Sequence, residues 1–177
     1  VRHHMTDSRY VCSSCGKTHE GLPTDWGFKL PDEVFDLSYL EKYRRTRSNT
    51  DLCALDEQRF FIRGILMIPF THQEGEFGWG VWAEVSKPDH DFYVDNYNNE
   101  LAQGTKVQGK LANTIPGFPE ITGLPLDIEI QSAKSRPIFT FPRSADHELA
   151  IDQRDGIDHT RHHRFLELCG HFDESDA

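Results

Sequence analysis

The chain has 177 residues, a length normal for a single hydrophobic core. Its 37% hydrophobic content, with 12 Phe, 5 Tyr and 3 Trp, can build that core without disulfide staples. Twenty-nine acidic against 19 basic residues give a formal charge of −10, which opposes phosphate backbones and anionic lipid surfaces and excludes nucleic acid and membranes as expected partners. No apolar run approaches the ~18 residues of a bilayer span, and the start lacks the apolar stretch of a secretory signal, so the expected compartment is the cytoplasm.

Residues 1–9 read as a disordered or vector-derived segment, or as the product of an upstream start before Met5, and His3 and His4 are set aside as ligands. A single domain is expected over residues 10–171, with a loose acidic tail over 172–177. Tyr10-Val11 reads as a strand end running into the knuckle Cys12-Ser-Ser-Cys15-Gly16, where the glycine supplies a tight turn. Leu22 to Pro31 is broken by prolines and glycines and reads as irregular. Ser38 and Glu41 have capping-box spacing, predicting a helix to about Arg47 with Lys42, Arg44, Arg45 and Arg47 solvated near its C-terminal end.

Gln58 to Pro69, rich in β-branched and aromatic residues, predicts the central strand. Phe77, Trp79, Val81, Ala83 and Val85 alternate with Gly78, Gly80, Trp82 and Glu84, predicting a strand paired with it. The two glycines leave the second face open to a helix, a ligand or another backbone, with helix packing the ordinary outcome. Asp89 to Pro119 reads as a helix or hairpin followed by an ordered loop. Leu124 to Ile130 alternates and is paired with Pro137 to Phe141. Asp146 to Gly156 predicts a helix closed by glycine, followed by an Asp158-capped helix through Cys169. The expected fold is α+β: a mostly antiparallel sheet of four or more strands with peripheral helices and an N-terminal Cys-x-x-Cys knuckle.

Thiolates at Cys-x-x-Cys-Gly spacing converge on one metal, and a structural zinc requires about four ligands. The expected set is Cys12, Cys15, His19 and Cys53, with Cys169 and His171 as a second source of ligands. Against this stands the reading in which Cys53 and Cys169 are small buried hydrophobes. His159, His162 and His163 crowd one helix and read as a solvated face. His147, between Asp146 and Glu148, could act as a general base in a cleft, but the simpler reading makes it and Gln153 hydrogen-bonding members of a turn that ties the last helices to the sheet. The common peptidase, esterase and P-loop signatures are absent, and no catalytic residue is assigned.

The run Cys12-x-x-Cys15-Gly-x-x-His19-x-x-Leu-Pro23, Asp51-Leu-Cys53, Phe60-Phe-Ile-Arg-Gly64 with Ile68-Pro69, and Trp79-Gly-Val-Trp82 resembles the bacterial domain of unknown function 2199 family. So do Leu111 to Pro119, Asp146 to Ala150 and Gln153 to Ile157. The resemblance implies the knuckle and a role for Cys53 in its site, and carries over no activity. The expected function is a cytoplasmic, zinc-stabilised binding or regulatory module with a possible protein partner. The alternatives are a metal-dependent or His-centred enzyme, and an immunity-type protein that binds a partner through its acidic surface.

Overall fold

A computed structural model describes residues 9–11, 18–20, 22–132 and 135–170. The strands are β1 (Arg9–Val11), β2 (Thr18–Glu20), β3 (Asp25–Gly27), β4 (Thr46–Ser48), β5 (Leu52–Leu55), β6 (Arg59–Pro69), β7 (Glu76–Val85), β8 (Lys106–Leu111), β9 (Pro125–Glu129) and β10 (Ile138–Thr140). The helices are α1 (Asp32–Phe35), α2 (Tyr39–Arg45), α3 (Lys87–Asp95), α4 (Glu148–Asp155) and α5 (His159–Leu168).

β6 and β7, of 11 and 10 residues, are the spine. They pair antiparallel from Phe60↔Val85 to Pro69↔Glu76, so Phe60, Ile62, Leu66 and Ile68 face the same core as Phe77, Trp79, Val81, Ala83 and Val85. Leu126, Ile128 and Ile130 of the β9 segment join them, and β9 pairs with β10, the expected partner, in antiparallel register. Ser38 accepts a hydrogen bond from the Glu41 backbone at 3.3 Å and starts α2, which ends at Arg45 because the chain extends there into β4. Asp158 caps α5 through the Arg161 N–H at 2.8 Å, and Gly156, at φ 83°, closes α4.

The expected mostly antiparallel sheet of four or more strands is present, but it is mixed and it closes on itself. β7–β8, β8–β9 and β9–β10 are antiparallel, but β10 runs parallel to β6 at Ile138↔Ile65, and this contact closes β6 to β10 into a five-stranded barrel. β3 is likewise parallel to β7. Alternation reports which side chains share a face and says nothing of strand direction. The closure depends on β5 covering only the Arg59–Ile62 part of β6, which leaves the edge at Ile65–Leu66 for β10. It depends too on Gly64, since a Cβ there would lie 2.3 Å from the Phe139 ring, too close for the two strands to pack. β8, β5, β4 and β3 were not legible as strands, being short or built on weakly apolar residues such as Lys106-Val-Gln-Gly-Lys.

The apolar residues fall into two clusters. The larger fills the barrel and the space under α4 and α5; the smaller, on the outer side of β6 and β7, holds Val34, Cys53, Leu55, Phe61 and Trp82. Gln153 fastens α4 to the barrel: its Oε1 accepts from the Phe141 N–H at 2.8 Å, and its Nε2 donates to the Met67 and Phe139 carbonyls at 3.2 Å.

Candidate functional site

The outer face of β6 carries Arg59, Phe61, Arg63, Ile65 and Met67, and the register sets these against Glu84, Trp82, Gly80 and Gly78 of β7. At the Arg59 end the smaller apolar cluster covers the sheet. Beyond Arg63 the cover stops, because Gly78 and Gly80 bring no side chains to that face. The feature that closes in on these glycines is a backbone: β3 pairs alongside at Asp25↔Gly78 and Gly27↔Gly80, so that a Cβ on Gly80 would lie 3.2 Å from the Gly27 Cα.

A groove results, made of two adjoining cavities. One, of about 590 Å³, is lined by Asp51, Tyr93, Tyr97, Gln131 and Arg136; the other, of about 390 Å³, by Trp26, Gly27, Arg63, Gly78 and Gly80. Ile65, Met67 and Arg136 line both. Each wall has a structural source: α3 supplies Tyr93 through a Ser86 cap that accepts the Asp89 N–H at 3.2 Å, and the segment entering β10 supplies Arg136.

The charges in the groove are unevenly satisfied. Arg136 Nε donates to Asp51 Oδ1 at 3.2 Å. Arg63 Nη1 reaches only the Thr50 carbonyl, at 3.4 Å, and its Nε is buried without a hydrogen-bond partner. Burial, and then the neighbouring Arg136, pull the Arg63 guanidinium below its ordinary value, with Asp51 acting in the opposite sense. Burial also pushes the Tyr93 phenol up to about 12, so it stays protonated and able to donate.

The residues expected to bind metal are placed elsewhere. Cys12, Cys15 and His171 lie outside the described residues; His19 lies in β2, paired with Tyr10 of β1. Cys53 is 1% exposed inside the smaller apolar cluster, and burial there pushes its thiol up to about 11. Cys169 caps the end of α5, half-buried, its thiol pushed up to about 12 by burial. Among the described residues, no group of three or more His, Cys, Asp or Glu side chains is placed to hold a metal ion.

The solvated-face reading of the α5 histidines is overturned: His162 and His163 are each 1% exposed. His162 Nε2 lies 2.7 Å from the Pro23 carbonyl, and its ring packs on Phe70 at 4.6 Å. The clue was present, since His162 shares i, i+3 and i+4 spacing with Phe165 and Leu166, both buried. His147 Nδ1 accepts the Ala150 N–H at 3.1 Å and so caps α4. Its ring meets Phe141 edge-on, and burial lowers its pKa.

Arg63, Arg136, Tyr93 and Tyr97 were not singled out in the sequence as functional. The available signal was a charged residue in the outward slot of the most apolar strand, next to a strand with two glycines on the same face.

No helix among the described residues is long and apolar enough to cross a membrane. Comparison with curated proteins and with solved structures finds no match. The profile of the uncharacterized proteins conserved in bacteria, DUF2199, matches residues 11–157, which takes in the barrel, the groove and α4. The chain therefore belongs to the DUF2199 family.

Proposed function

We propose that this protein is a small-molecule-binding module whose ligand site is the groove on the outer face of β6 and β7. The observation that carries the reading is the glycine-floored opening at Gly78 and Gly80, walled by Arg63 of β6, Tyr93 of α3, and Tyr97, Gln131 and Arg136 from the segments between elements. The His147-centred enzyme is the weaker reading, because His147 Nδ1 is committed to capping α4.

The test is a screen of mixed small polar metabolites by ¹H–¹⁵N correlation spectra. Perturbations are expected to cluster on Gly78, Gly80, Gln131 and the Trp26 indole, and to vanish in Met67→Trp, which fills the groove. Hits centred instead on Asp152, Arg161 and Thr160, which line a separate cavity of about 570 Å³ between α4 and α5, would move the site and sink the reading.

The second reading, a structural zinc at the N-terminal knuckle, is favoured by the register of the small hairpin. Val11 pairs with Thr18, so the chain connecting β1 to β2 is the segment that carries Cys12 and Cys15, with His19 next in β2. Cys53, among apolar side chains, fits packing better than ligation. Elemental analysis of reduced protein is expected to find about one zinc per chain, lost in Cys12→Ser and kept in Cys53→Ala. Metal-free wild type would end the zinc reading, and loss in Cys53→Ala would restore Cys53 as a ligand.

A further inference from the structure

Arg63 is in an unusual position for a guanidinium in a protein of charge −10, where carboxylates are plentiful. Of its five N–H donors, the described structure gives one a 3.4 Å contact with the Thr50 carbonyl and leaves the buried Nε unpartnered. Orphaned buried donors are costly, and native proteins pair them unless a ligand or water does so. The same strand shows the ordinary remedy at Arg59, which is held by Glu33 and Glu84.

Arg136 lines the same groove, close enough to lower the Arg63 pKa through charge repulsion. Asp51 is the one carboxylate hydrogen-bonded to either arginine among the described residues. Asp25 and Glu76 line the far end of the smaller cavity, both exposed, and neither forms an ion pair with Arg63 or Arg136 among the described residues. Beside Asp51 the two guanidiniums carry one positive charge in excess at their own end of the groove, while the other two lining carboxylates, Asp25 and Glu76, stand at the opposite, exposed end.

The glycines serve this geometry directly. A Cβ on Gly27 would lie 3.3 Å from Arg63 Nη2, and one on Gly80 would lie 3.9 Å from it, so the guanidinium rests on a floor kept free of side chains. Gln131 and the protonated Tyr93 add neutral donors on the other wall, while Ile65, Met67 and Tyr97 offer apolar surface to the rest of a ligand.

We infer that the groove recognises the oxyanion of a small molecule, a carboxylate or a phosphate, which Arg63 and Arg136 clamp together while its uncharged part lies over Ile65 and Met67 against Tyr93 and Tyr97. This inference rests on the small-molecule-binding reading and assigns its ligand class. Guanidinium pairs suit such groups because their planar donor forks match paired oxygens.

The experiment follows the arginine Nε–Hε resonances of wild type, Arg63→Gln and Arg136→Gln at constant ionic strength. The probes are phenyl phosphate, benzoate and uncharged benzamide, and Arg47→Gln serves as an exposed control. The expected result is a saturable shift of the Arg63 and Arg136 resonances with phenyl phosphate or benzoate, and at least tenfold weaker binding in both groove variants but not in the control. Whichever anion binds more tightly identifies the oxyanion as phosphate or carboxylate. Benzamide saturating equally, with no loss in the variants, would overturn the oxyanion assignment and leave the binding module standing. Linear, chloride-like shifts with all three probes would also overturn the assignment, and the metabolite screen would then decide the module separately. If either variant fails to fold, the wild-type titration with the three probes is decisive by itself.

Discussion

Arg59 and Arg63 project from the same face of one strand, and the fold treats them in opposite ways. Arg59 is bracketed by Glu33 from α1 and Glu84 from β7, and the hydrogen bonds it donates to these carboxylates raise its pKa while lowering that of Glu84. Arg63 faces Trp82 and the glycines, receives one carbonyl contact, and is shifted downward by burial. The strand pattern is identical at the two positions; what differs is what the neighbours deliver. At one end the sheet is sealed by packing and ion pairs, and at the other it is kept open with its donors unspent.

The largest difference between the two ends should appear in packing. Trp82 is fully buried in the smaller cluster, so Trp82→Ala is expected to cost about 3–5 kcal/mol. Met67, half-buried on the open end, is expected to cost about 1 kcal/mol as Met67→Ala. Urea denaturation of both variants measures this. Equal losses would mean that the open end is packed as tightly as the sealed one and that no groove exists in solution.

A smaller contrast, but one of sign, separates the arginines. Removing Arg59 strands two carboxylates, yet its side chain is 40% exposed and solvent screens the pairs, so Arg59→Met should cost about 1 kcal/mol. Arg63→Met removes a buried, unpartnered donor and should cost nothing or raise stability slightly. If Arg63→Met proved the more damaging of the two, Arg63 would be a structural residue and its place in the ligand site would be lost.

How much of this could be read from the sequence follows from what alternation encodes. The inner residues of β6, β7 and β9 were legible because one face of each is continuously apolar, and the caps Ser38 and Asp158 because their spacing is local. Barrel closure was not legible, since it rests on a parallel contact between Ile138 and Ile65. The groove was legible only in part: Gly78 and Gly80 marked an open face, but Arg136 and Tyr93 reach it from segments that local pattern cannot place against β6. The burial of His162 was missed because composition drew attention to charge, while its spacing with Phe165 and Leu166 already put it on the buried side of α5.

The subtlest expected difference is in acid stability. Glu84 is held below its ordinary value near 4.5 chiefly by its hydrogen bond to Arg59, so in the window below that value the unfolded chain binds more protons at this position than the folded one. Its contribution is therefore complete above about pH 4.5 and is lost as pH falls through the lowered folded value. Asp56 and Asp91, lowered by Arg45 and Lys87, add to the same fall, whereas Asp152, raised by burial, opposes it. Denaturation between about pH 6 and pH 3.5 should thus show a shallower loss in Glu84→Gln than in wild type, and a wild-type slope in Arg63→Met, since no carboxylate hydrogen-bonds to Arg63 among the described residues. An unchanged slope in Glu84→Gln would show that the Arg59 end is sealed by Trp82 and Phe61 alone. The ion pairs would then be consequences of the packing, and the contrast with Arg63 would rest on burial rather than on charge.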